Sequence, residues 1–248
     1  VSTLAFAMKK AIIIGGTSGI GLSTAQLLHS KGYMVGIAGR RGELLNQISS
    51  QLGKRVATKV IDVCKDDAPE RLLALSEEMG GVDLIFLAAG IGWQNPRLEK
   101  DVELTTCETN VLGFTRMITC AYRYFAERGG GHIAAITSIA GTKGLGAAPA
   151  YSATKRYQNA YIQCLAQQSH FNGKNIVFTD IRPGFVATDL LKGGKYPMQL
   201  TPDDVARKIV KAIEHKRRKV VIDWKYAILT ALWRLIPDCI WERMNIKT

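Results

Sequence analysis

The stretch Lys9-Lys10-Ala11-Ile12-Ile13-Ile14-Gly15-Gly16-Thr17-Ser18-Gly19-Ile20-Gly21 passes from an apolar, β-branched run straight into a glycine-rich turn, then into a helical pattern. Glycines at 15, 19 and 21 allow a tight turn, an open backbone and a close helix–strand contact. Amides around Thr17, Ser18, Gly19 and Ile20 then stand at a helix N-terminus, where they favour negative charge. Gly-rich turns also occur without a ligand. Here the turn lies at the first strand–helix junction, where a pyrophosphate site needs it.

Outward from this junction, short apolar runs alternate with amphipathic stretches. Strands are expected at 9–14, 34–38, 57–63, 82–88, 132–137, 176–181 and 220–222. Helical patterns cover 20–31, 42–52, 68–79, 104–128, 151–171 and 202–216. Such alternation reads as βαβ units in an α/β, Rossmann-type doubly wound parallel sheet of about seven strands, with helices on both faces. Without a linker, residues 8–223 are expected to form one domain, with 224–248 as an amphipathic helical extension. Ligands in this architecture bind at the carboxyl ends of the strands.

Composition narrows the classes further. The 248 residues are 47% hydrophobic and 22% charged, which excludes disorder of the whole chain, and no apolar run approaches bilayer length. Five cysteines at irregular spacing, with no C-x-x-C pair, point to free thiols in a reducing, cytoplasmic compartment. The four histidines lack zinc spacing, so no metal is expected. Met8 is a candidate start, and the residues before it lack the features of a signal peptide. Net charge is +12, much of it local to the run Lys216-Arg217-Arg218-Lys219. A run this short is usually a solvated helix end, and no recognition-helix motif accompanies it, so nucleic acid is not an expected partner.

The second strand ends in Ala38-Gly39-Arg40-Arg41. An acid here would bind an adenosine ribose 2′-hydroxyl, whereas arginine suits a 2′-phosphate. Arg40 chiefly, and Arg41 secondarily, therefore point to NADP(H). Asp62-Val63 could offer a carboxylate and backbone near an adenine.

Tyr151-Ser152-Ala153-Thr154-Lys155 puts a phenol and an ammonium at i and i+4 on one helix face. A nearby cation favours the phenolate, and such a pair can move a proton at a reacting oxygen. The spacing also arises as an ordinary surface pair. Ser138 stands 13 residues earlier at the end of the fifth strand, able to hold a carbonyl oxygen. Asn110 interrupts a long helical pattern, where Asn is an indifferent helix former.

Together these motifs resemble the short-chain dehydrogenase/reductase family in its single-domain form, over about residues 9–219. The resemblance rests on the glycine turn, Asp62, Ala89-Gly90, Asn110, Ser138, Tyr151, Lys155 and Pro183-Gly184 followed by Thr188. It implies a tetrad in which Tyr151 is the general acid/base and Ser138 holds the substrate oxygen. Lys155 would bind the nicotinamide ribose and lower the Tyr151 pKa, and Asn110 would hold a water linking Lys155 to solvent. Ala89, Gly90, Pro183, Gly184, Val186 and Thr188 would flank the cofactor. Two positions depart from the family pattern: Ile14 where Thr is usual, and Leu87-Ala88-Ala89-Gly90 where Asn-Asn-Ala-Gly is usual. Both touch cofactor affinity more than the chemistry.

The implied activity is hydride transfer between NADP(H) and a carbonyl or secondary alcohol, on a small apolar substrate, by a homodimer or homotetramer. The alternative is a catalytically silent NADP(H)-binding regulatory or scaffold protein, against which the intact tetrad counts. Residues 190–200 read equally as a mobile lid or a surface loop, with Trp93 and Leu145 near the pocket. Ile228, Leu229, Leu232, Trp233 and Ile236 form a stripe at helical spacing. It suits a helix folded over the pocket, a subunit interface or, less favoured, a peripheral membrane contact.

Overall fold

The computed structural model describes residues 8–188 and 198–246. Its strands are β1 (Lys10–Ile14), β2 (Met34–Gly39), β3 (Val56–Val60), β4 (Leu84–Leu87), β5 (Gly131–Ile136), β6 (Ile176–Arg182) and β7 (Lys219–Val221). All pair in parallel, in the order β3-β2-β1-β4-β5-β6-β7. The direction of winding reverses between β1 and β4, which opens a crevice at their carboxyl ends.

Burial on both faces explains the unbroken apolar strands. In β1, Ile12 and Ile14 face a core shared with α3 (Ala68–Glu78), α5 (Phe114–Glu127) and α6 (Pro149–Phe171). Ala11 and Ile13 face the other core, with α1 (Gly19–Ser30), α2 (Gly42–Leu52) and α7 (Pro202–Glu214). Successive strand residues point to opposite faces, so a strand covered twice must be apolar throughout.

The single helix expected over 104–128 is instead three pieces. α4 (Lys100–Cys107) leads into a π-helical turn, Glu108–Gly113, and α5 continues from it. Asn110 explains the widening: its side chain accepts from the Ile91 amide at 2.9 Å and donates to the Ile91 carbonyl at 2.6 Å. Gly113 closes the turn against Val63, leaving no room for a Cβ. A helix that must meet a neighbouring loop through one side chain widens locally, and such turns cluster at functional sites. β3 also ends earlier than the apolar run, because Asp62 turns the chain by accepting from the Cys64 amide at 3.1 Å.

Beyond β7 lie α8 (Trp224–Leu235) and α9 (Asp238–Trp241). Trp233, Ile236 and Trp241 pack with Ala140, Leu145 and Tyr151, and Trp241 Nε1 donates to the Gly144 carbonyl at 2.6 Å. The C-terminal helices therefore fold back beside the strand ends. Most of the stretch 190–200 lies outside the described residues; its flanks meet in a parallel bridge between Val186 and Leu200. Among the described residues, no helix is long and apolar enough to cross a membrane.

Candidate active site

The glycine turn follows β1 at the crevice. Gly15 has φ +87, and its amide donates to the Ala38 carbonyl at 2.8 Å, tying the turn to β2. A Cβ on Gly21 would lie 2.1 Å from the Gly15 carbonyl oxygen, so α1 starts this close to β1 only without a side chain there. Ala88 and Ile14, the two departures from the family pattern, line the floor: the Ala88 amide donates to the Ile14 carbonyl at 2.8 Å. Thr188 reaches Gly19 from the other side of the crevice.

Of the two arginines, Arg41 is the one held against the turn. Its Nη2 donates to Thr17 Oγ1 at 2.8 Å and to Ser18 Oγ at 2.7 Å. Arg40 makes no side-chain hydrogen bond among the described residues. The Asp62 carboxylate is engaged by the Cys64 amide, and Val63 packs on Gly113.

Across the crevice, α6 carries Tyr151 and Lys155. Its N-terminus is oriented by Glu103 of α4, whose Oε2 accepts from the Ala150 amide at 3.1 Å. Ser138, just past β5, stands beside the Tyr151 side chain and accepts from the Ala140 amide at 3.0 Å. Asn110 is fully buried and donates to Thr154 Oγ1 at 3.1 Å. A Cβ on Gly90 would sit 3.3 Å from both Asn110 Oδ1 and Lys155 Nζ. Ser138, Tyr151, Lys155, Asn110 and Gly90 thus converge. Gly92, which the sequence reading missed, lies against the Tyr151 ring with no space for a Cβ.

Electrostatics depart from expectation at the tyrosine. Burial raises the Tyr151 pKa, and the Ser138 hydrogen bond opposes the rise. Burial also lowers Lys155 to about 8, against an opposing pull from Asp180. Lys155 Nζ lies 5.7 Å from the Tyr151 ring centre and is turned to other partners, the Ile136 carbonyl at 3.3 Å and Gln158 Oε1 at 3.0 Å.

A family model described as short chain dehydrogenase matches residues 9–196. The chain belongs to the short-chain dehydrogenase family. Like a Myxococcus xanthus relative named as an uncharacterized oxidoreductase, 30% identical over 242 residues (94% of this chain, 95% of the relative), it is an oxidoreductase of that family. A Burkholderia phymatum short-chain dehydrogenase/reductase solved with NAD matches its fold with TM-score 0.84 at 20% identity, covering 98% of each chain. An alcohol dehydrogenase from Thermococcus sibiricus, complexed with 5-hydroxy-NADP, matches with TM-score 0.76 at 25% identity, over 86% of this chain and 95% of that one.

Within this short-chain dehydrogenase, Gln158 is the site residue that the sequence reading missed most plainly. Fully buried, it donates from Nε2 to the Asn110 carbonyl at 2.9 Å while its Oε1 accepts from Lys155. Its amide thus links the Asn110 backbone to Lys155. The available signal was position: Gln158 follows Lys155 by three residues on one helix face.

Two predictions follow from these buried contacts. Gln158→Leu removes both hydrogen bonds and strands their partners, so urea unfolding should show a loss of about 2–4 kcal/mol; a loss below ~1 kcal/mol would mean the bridge is dispensable. For Lys155, the ordinary value is 10.5 and the folded value about 8. Between those values the unfolded chain binds more protons, so this group's contribution to stability rises with pH across that window and is lowest below it. The stability difference between Lys155→Met and the parent is therefore expected to move in the parent's favour as pH rises from about 8 to 10.5, because the parent then sheds the cost of its buried charge while the variant does not titrate there. A stability difference that stays constant across that range would exclude charge burial as its source.

Proposed function

We propose that this short-chain dehydrogenase is an NADP(H)-dependent oxidoreductase that interconverts a carbonyl and a secondary alcohol, with reduction as its working direction. The observation that carries this reading is the convergence of Ser138, Tyr151 and Lys155 across the crevice from the glycine turn. The fit to a dinucleotide rests on two features of that crevice. Side chains at Gly15 and Gly21 would fill the cradle, and Arg41 is fixed beside Thr17 and Ser18, where its charge favours a 2′-phosphate.

In this reading the glycine turn, Thr17, Ser18 and Ile20 hold the pyrophosphate, with Arg41 and then Arg40 on the 2′-phosphate. Asp62, Val63, Ala89 and Gly90 border the adenosine side, and Pro183, Gly184, Val186 and Thr188 border the nicotinamide. NADPH, when bound, supplies the hydride from its nicotinamide C4. Tyr151 gives its phenolic proton to the substrate oxygen, which Ser138 holds by a hydrogen bond. Lys155 holds the nicotinamide ribose and favours the phenolate left behind, while Asn110 and Gln158 hold the Lys155 side chain in place. A raised Tyr151 pKa suits a proton donor at neutral pH, since the phenol stays protonated until the substrate oxygen takes the proton. The buried apolar surround of Leu145 and Ala140 favours an apolar substrate.

The chemistry is tested by scoring NADPH oxidation against a panel of aldehydes, ketones, steroids and sugars, then repeating the best substrate with Tyr151→Phe. Turnover should fall by at least about 10²-fold while NADPH binding stays close to the parent, because only the transferable proton is lost. Retention of full activity would remove Tyr151 from the mechanism. For cofactor choice, titrations should give NADPH a dissociation constant about ten- to a hundredfold below that of NADH, and Arg41→Ala should erase more of that gap than Arg40→Ala. Equal affinities in the parent would mean that the arginines serve another role.

A further inference from the structure

α8 has two unlike sides. Tyr226 and Thr230 are buried, whereas Trp224 is 67%, Ile228 52%, Leu232 55% and Leu235 77% exposed. Spacings of four, four and three residues stack these four side chains along one side of the helix, and exposed Ala227 and Ala231 fill the intervals between them. A continuous apolar face of this kind on a protein surface marks an interaction site.

The charges around it are one-sided. Lys225 and Arg234 are exposed on the same helix, and Lys216, Arg217 and Lys219 are exposed just before it. Most nearby carboxylates are already engaged: Asp223 pairs with Lys208 at 3.0 Å, Glu214 with Lys31 at 2.8 Å, and Asp238 with Lys143, which leaves exposed Glu242 beyond α9 as an acid outside these pairs. Burial together with Arg182 and Arg234 pulls the Lys219 pKa down, a mark of cations crowding one another.

We infer that this face of α8 docks on an anionic membrane surface, with Trp224, Ile228, Leu232 and Leu235 in the boundary between headgroups and acyl chains and the flanking cations on lipid phosphates. A 12-residue helix is about 18 Å long, short of the roughly 30 Å hydrocarbon core, so it lies in the interface plane instead of crossing it. A second copy of the chain is the competing occupant. Apposition of this face in two copies would gather both copies' Lys225 and Arg234 around one apolar contact, where like charges repel. Anionic lipid meets both the apolar and the cationic side chains with favourable partners.

The test uses the full chain, sedimented with vesicles of phosphatidylcholine alone or mixed with phosphatidylserine, at low and high salt. Binding should require phosphatidylserine, weaken with salt, and shift Trp fluorescence to the blue. Two double variants at exposed positions are compared, Ile228→Asp with Leu232→Asp and Lys225→Glu with Arg234→Glu. Each should lower vesicle partition at least about tenfold while the unfolding midpoint and circular dichroism stay as in the parent. Absence of sedimentation of the parent with anionic vesicles overturns the inference, as does undiminished partition of the aspartate variant. So does a dimer in light scattering that the aspartate variant dissolves while the parent ignores vesicles, an outcome that would assign the face to a second copy.

Discussion

An ammonium held out of water needs acceptors, and Lys155 finds them in the Ile136 carbonyl and Gln158 Oε1. Burial without such partners would cost several kcal/mol, so the groups around Lys155 are positioned by one another. Gln158 uses its remaining end on the Asn110 carbonyl, and Asn110 uses its side chain on the backbone of Ile91. The end of β5, the helix α6, the π-helical turn and the loop after β4 are thereby linked through one run of buried hydrogen bonds. Such a run is stable only when every member is satisfied, because a single unmet group in low dielectric costs more than the bond was worth. The depressed Lys155 pKa is the trace of this arrangement: stability is given up to keep a cation beside a phenol.

The parallel sheet brings this network to the glycine turn. Because all seven described strands run the same way, their carboxyl ends share one edge, and residues far apart in sequence meet there. Gly90 after β4 lies against Lys155 and Asn110, Thr188 after β6 reaches Gly19, and the Ile139 amide after β5 donates to the Pro183 carbonyl at 3.1 Å. On the opposite side of β1, Arg41 closes over the turn from the start of α2.

The C-terminal helices extend the same economy of faces. Tyr226 accepts from the Phe185 amide at 3.2 Å and donates to the Met198 carbonyl at 3.1 Å, so α8 braces both flanks of the segment after Gly184. Trp241 and Trp233 stack edge to face with ring centres 5.3 Å apart beside Leu145 and Tyr151. With these side chains turned inward, the rest of the apolar stripe is left outward, bordered by cations.

By itself the sequence determined what depends on near neighbours. Unbroken apolar runs in β1, β2 and β4, the glycines at 15, 19 and 21, and the Tyr151–Lys155 spacing follow from periodicity and local sterics, which a linear reading can see. The α2 boundaries at Gly42–Leu52 were legible for the same reason. Only the tertiary structure decided how distant groups share partners. Asn110 widens a helix because Ile91 lies across from it, Gln158 matters because Asn110 and Lys155 flank it, and Arg41 is tied to the glycine turn because Thr17 and Ser18 accept from it. The stripe in α8 likewise reads as one apolar feature until packing divides it. Trp233 turns towards Leu145 while Ile228 and Leu232 turn to solvent, since helical spacing sets which residues share a side and only the neighbouring surface sets which side is covered.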